Sequence, residues 1–130
     1  MTTLSQEREG SPAVEIHGFS WESRSVMLPR LHRVLAASGC WLVRSKRGRR
    51  LVEYSVEIEL AAALELYSGL IQAGVRLTEL SHRVLTELCL LRTHHRELSE
   101  APRVVSVRLV MSFVRLEQEV KIPEVVAASA

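Results

Sequence analysis

No stretch of this sequence holds the ~18–20 uninterrupted apolar residues that a helical bilayer span requires, because arginine, glutamate or histidine breaks every long apolar run. The chain is therefore expected not to span a membrane. The opening residues carry Ser5, Gln6, Glu7, Arg8 and Glu9 where a secretory leader would place its apolar segment, which points to a cytoplasmic protein. Cysteine is scarce. Cys40 and Cys89 make neither a disulfide framework nor a Cys-x-x-Cys pair, and both read as small buried hydrophobes. A glycine-rich phosphate loop is also missing, since Gly48 stands alone among basic residues.

The side chains of catalysis are present but not at useful spacings. Ser81 and His82 are neighbours on a helical stretch and cannot face each other, while Glu57 and Glu59 share one wet strand face. His94 and His95 with Cys89 offer zinc-type ligands, yet adjacent helical residues point ~100° apart and no fourth ligand is in view. The histidine pair reads instead as favourable charge at a helix C-terminus. The expectation is a protein that is not an enzyme and has no metal and no cofactor.

What is present is the composition of one folded domain. A hydrophobic fraction of 47% with 25% charged residues over 130 residues suits a single two-layer core and is far from the disordered regime. The boundaries are expected at a tail 1–12, a domain 13–120 and a second tail 121–130, the tails lacking periodicity and aromatic anchors.

Within the domain, Val14 to Trp21 is rich in β-formers and reads as a strand, with Val14, Ile16 and Gly18 on one face and His17, Phe19 and Trp21 on the other. Leu28, Leu31, Val34 and Leu35 repeat at helical spacing, and Pro29 is best accommodated in a first turn, so a helix is expected from Met27 to Ser38 with Gly39 as its stop. Cys40 to Arg44 gives a second strand and Ser45 to Arg49 a charged turn. Leu51 to Glu59 alternates cleanly, Val52, Tyr54, Val56 and Ile58 against Glu53, Ser55, Glu57 and Glu59, as does a strand of an antiparallel sheet covered on one side. Two helices follow, Leu60 to Ala73 and Thr78 to His94, separated by Gly74. Val104 to Val114 is the last and longest strand, with Val105, Val107, Leu109, Met111 and Phe113 on one face.

The order β-α-β-β-α-α-β predicts an α+β fold of the ferredoxin-like type, a four-stranded antiparallel sheet with its helices on one face. The stretch from Val26 to Leu42, an apolar-apolar-x-x-apolar helix followed by Gly39 and a strand, resembles the first helix and second strand of ACT domains, the small regulatory modules that bind amino acids at subunit interfaces. The resemblance covers roughly Val14 to Ile58 and implies an amino-acid or small-carboxylate ligand and a homodimer or a partner enzyme. The second helix after Ile58 is additional to the family pattern.

Three places draw attention as sites. The loop from Glu22 to Ser25 meets the start of the first helix, where Ser23, Arg24 and Ser25 can add donors to exposed amides and hold a carboxylate. Arg44, Lys46, Arg47, Arg49 and Arg50 form a basic hairpin; removing these five cations from the net charge of +2 leaves −3 for the rest. Such a hairpin is either a phosphate-binding surface or a solvated turn that keeps edge strands from pairing with strangers. Finally, His17, Phe19 and Trp21 with Val104, Val110 and Val114 are expected to make one apolar patch on the outer sheet face. It would be covered by a second copy or by the C-terminal Ile122, Val125 and Val126. Thr78 to Leu91 offers Arg83 and little else to bases, so a helix-turn-helix reading is set aside. The function expected is a small non-enzymatic regulatory or binding domain, with nucleic-acid association through the hairpin as the rival.

Overall fold

Alternation in Leu51–Glu59 places Val52, Tyr54, Val56 and Ile58 against the helices, where all are at most 2% exposed. The computed structural model describes residues 13–95 and 104–114, and the side chains of all of these except 92–95. The expected tails 1–12 and 121–130, the side chains of His94 and His95, and Ile122, Val125 and Val126 lie outside the described residues.

The described elements are β1 (Ala13–Ser20), α1 (Arg24–Ala37), β2 (Trp41–Arg47), β3 (Leu51–Glu59), a 3-10 turn (Leu60–Ala62), α2 (Ala63–Ala73), β4 (Arg76–Leu77), α3 (Glu79–His95) and β5 (Val104–Phe113). The fold is α+β, but the sheet is not the expected four-stranded antiparallel one. It has five strands in the order β2-β3-β5-β1-β4, and β5 runs parallel to β1 and antiparallel to β3.

The second helix explains the correction. α2 carries the chain from the Glu59 end of β3 to the end of the sheet where β4 pairs with Gly18 and Phe19 of β1. α3 starts there beside His17 and returns to the turn Leu60–Ala62, so β5 begins at the same end of the sheet as β1. One helix after β3 would have delivered the last strand antiparallel to β1; two deliver it parallel, and it then fits between β1 and β3. The two-residue β4, too short for alternation to show, caps the far edge of β1.

Both glycines expected to stop helices do so by the same hydrogen bonds. Gly39 (φ +73°) and Gly74 (φ +98°) follow α1 and α2, with Cys40 N–H donating to the Leu35 carbonyl and Val75 N–H to that of Leu70, each at 3.1 Å or less. These left-handed positions close the orphan carbonyls of each helix end and are strained for any side chain. α1 begins at Arg24, earlier than expected, so the exposed Pro29 stands in the second turn and gives up one helical hydrogen bond. Thr78 caps α3: its Oγ1 accepts from Ser81 N–H (3.1 Å) and donates to Ser81 Oγ (2.8 Å), which also accepts from His17 N–H (2.7 Å).

The core is one cluster on the helix side of the sheet. Ile16 of β1 and Val105, Val107, Leu109, Met111 and Phe113 of β5 meet Met27, Leu28, Leu31 and Leu35 of α1, Leu66 and Leu70 of α2, and Leu85 and Leu88 of α3. Gly18 faces the same way, and a Cβ there would lie 2.7 Å from Val75 Cγ1, so the valine fills the space of a missing side chain. None of the helices among the described residues is long and apolar enough to cross a membrane.

Leu109→Ala, at the middle of β5 and 2% exposed, is expected to lower unfolding free energy by about 2–5 kcal/mol. Glu57→Ala, on the opposite sheet face, is expected to stay within about 0.5 kcal/mol. Urea unfolding followed by circular dichroism measures both, and equal effects would contradict the facing of the sheet.

Candidate functional site

The loop after β1 is built around Ser20, which is fully buried. Its Oγ accepts from Glu22 N–H (2.9 Å) and reaches the Glu22 carbonyl (3.1 Å), a local turn that throws Trp21 outward. Trp21 is 57% exposed and stands edge-on to Phe19, with ring centroids 5.9 Å apart at 81°.

A cleft of about 550 Å³ opens at this end of the sheet, with Phe19, Trp21 and Glu22 on one side and Arg30, Arg76 and His82 among its other walls. It lies at the carboxyl end of β1, which runs parallel to β5; crevices at such strand ends are where α/β sheets commonly hold ligands. Arg30 Nη1 donates to the Ala73 carbonyl (3.2 Å), setting a cation over the C-terminal end of α2. Arg76 is exposed on β4, opposite Phe19. The His82 ring is fixed through Nδ1 by the Tyr67 hydroxyl (2.7 Å). The cleft thus offers an aromatic face, two guanidinium groups and one carboxylate. A second groove of about 510 Å³ runs between α1 and α2 over Val34 and Gly69, and Arg30 borders both.

Of the residues expected to hold a ligand, the cleft takes their neighbour Glu22 and none of the three. Ser23 and Ser25 hydroxyls bond each other at 3.2 Å, and the Arg24 guanidinium donates to the Gly48 carbonyl at the hairpin tip. Arg24 therefore ties the loop to the hairpin. Its Nε is buried and has no hydrogen-bond partner among the described residues. Arg30 and Arg76 carry no sequence signal of their own: one is a polar residue on an amphipathic helix, the other lies in a strand of two residues.

The basic hairpin is partly engaged. Arg47 lies near enough to the Tyr54 hydroxyl to act on its ionisation, and that hydroxyl meets His32 Nε2 at 2.8 Å. Burial raises the Tyr54 phenol above its ordinary pKa, and Arg47 and Arg24 pull against that shift. Arg44 and Lys46 lie on the outer face opposite Ser55 and Glu53, and Arg49 and Arg50 are exposed in the turn. Burial also pushes the Cys40 thiol up to about 11, which makes it a poor nucleophile.

The outer sheet face is not one apolar patch. Val104 and Val110 sit on the same face of β5 with Ser106 and Arg108 between them. Arg108 joins Glu53 of β3 to Glu15 of β1 (3.2 Å to Glu15), and Glu15 in turn meets His17 Nε2 at 2.8 Å. Val110, between His17 and Glu53, is buried, and the exposed apolar groups gather at the end where Phe19 and Leu51 flank Ser112, near Trp21 and Val114. This charged row across three strands interrupts the apolar groups of the face.

No family model matches the chain, and no curated protein or solved structure does either.

The hydrogen bond from Arg108, more than its charge, holds the Glu53 carboxyl below its usual range. A carboxyl pKa lowered by folding stabilises above the unfolded value and loses that contribution as pH falls through the folded one. Arg108→Ala is expected to move the Glu53 titration up toward the ordinary carboxylate value and to remove the contribution made above the unfolded value. Carboxyl chemical shifts followed with pH measure it, and an unchanged Glu53 midpoint would contradict the linkage.

Proposed function

We propose that this domain is a small non-enzymatic regulatory module, alone or as a homodimer, that takes a carboxylate-bearing molecule with a flat apolar part in the Trp21 cleft. The observation that carries this reading is a largely exposed indole, braced by Phe19, in one cleft with Arg30 and Arg76. An exposed tryptophan face gains by stacking on a flat apolar group, and a guanidinium matches a carboxylate with two parallel hydrogen bonds.

The non-enzymatic part draws on how the titratable side chains are used. His32 holds Tyr54, His82 holds Tyr67 and His17 holds Glu15, each on a different part of the fold and each in a structural hydrogen bond. The ligand class agrees with the one implied by the ACT resemblance, although the residues that would hold it are Trp21, Arg30 and Arg76 rather than Ser23, Arg24 and Ser25.

The chain has two tryptophans, so Trp41→Phe leaves Trp21 as the single reporter. Titrating that variant with benzoate, L-phenylalanine, L-glutamate and acetate is expected to give saturable changes in Trp21 emission for the aromatic carboxylates and weaker ones for the aliphatic. Arg76→Ala is expected to weaken binding by about tenfold, the 1.4 kcal/mol of one charge-assisted hydrogen bond. A linear, non-saturating response to every compound would overturn the reading.

A further inference from the structure

Among the described residues, nothing covers either face of the outermost strand of the sheet or pairs with its free edge. β2 has one neighbour among the described strands, β3, and each of its seven residues is exposed. On the helix side Leu42 lies opposite Val56, yet Val56 is 2% exposed and Leu42 57%, so the helix layer ends at β3 and β2 overhangs it. Trp41, Leu42 and Val43 are consecutive and 55–59% exposed, with a register shift in the ladder between Leu42 and Arg44. Soluble domains seldom leave such an edge without a use or a guard.

The charges say what suits it. Beyond the apolar end, β2 carries Arg44, Lys46 and Arg47 and no acid of its own. Glu53, the carboxylate opposite Lys46, is already bonded to Arg108. A second copy of β2 paired antiparallel about its basic half, at Arg44, Ser45 or Lys46, would set Arg44 or Lys46 against a cation of the copy, and directly opposed like charges destabilise a strand pair. A nucleic acid would satisfy the cations but leave the unpaired backbone groups and Leu42 without partners.

We propose that the free edge of β2 takes an extended segment of a partner protein in which apolar and acidic side chains alternate. Such a segment adds a sixth strand to the sheet. Its backbone supplies the edge hydrogen bonds, its apolar side chains extend the core over Leu42, and its carboxylates on the outer face meet Arg44 and Lys46. Arg47, opposite the inward Val52, stays on the helix side. This inference is independent of the cleft, which lies beyond β1 on the other side of the sheet.

The test uses the full chain, labelled for amide NMR, and a short end-blocked peptide of alternating glutamate and valine. Saturable shifts confined to the amides of β2 and its ladder with β3 are expected. The Arg44→Glu, Lys46→Glu double variant, changed only at exposed positions, is expected to lose at least about tenfold in affinity and to prefer the lysine–valine counterpart of the peptide. Leu42→Asp gives the same loss by a route that leaves the cations in place. Absence of saturable shifts overturns the proposal, and shifts produced by an oligothymidylate but not by the peptide assign the edge to nucleic acid instead. A chain that self-associates through its β2 amides also overturns it.

Discussion

The insertion of β5 between β1 and β3 is the contact on which the rest of the structure depends. Its inward residues, Val105, Val107, Leu109, Met111 and Phe113, are all at most 3% exposed and lie in the middle of the hydrophobic cluster. Its ladder runs the whole length of β1 on one side and of β3 on the other. Without it, β1 and β4 form one small ribbon and β2 and β3 another, and two-stranded ribbons are at best marginal in water. Because β5 comes last in the described chain, the two ribbons are joined only by contacts distant in sequence, which makes the domain slow to close relative to its size.

That arrangement also decides what the surface can do. The pairing of β4 with β1 sets the end of α2 beside the carboxyl end of β1 and the start of α1, which creates the cleft holding Trp21, Arg30 and Arg76. On the outer face, three adjacent strands bring Glu15, Arg108 and Glu53 into one charged row, and exposed ion pairs of this kind add little stability while keeping the face solvated. With the helices gathered over the centre, β2 is left outside the helix layer. The cleft and the edge are thus two consequences of one topology.

Much of this was legible in the residues and some was not. Alternation in Leu51 to Glu59 and Val104 to Val114 assigned the inward faces, since a period of two leaves only one register that buries the valines and leucines. Gly39 and Gly74 marked the helix ends because a left-handed C-terminal position is costly for other residues. Strand direction is carried by no single residue. It followed from the number of helices after β3, and two helices were visible as a repeat of leucines, so the parallel pairing was implied even though the four-stranded template was antiparallel. Pairs such as His32 with Tyr54 and Tyr67 with His82 lie far apart in sequence and on different elements, where periodicity is silent. The site residues Arg30 and Arg76 converge only through the turn at Gly74, and the loop serines that drew attention bond each other.

Amide hydrogen exchange on the dilute chain tests the dependence on β5 most directly, since it ranks each strand by the free energy needed to open it. The account predicts that amides from Val105 to Met111 exchange only with global unfolding, while those of β2 exchange faster by local opening. β5 amides that open locally, with β2 and β3 protected as strongly as or more strongly than β5, would contradict it.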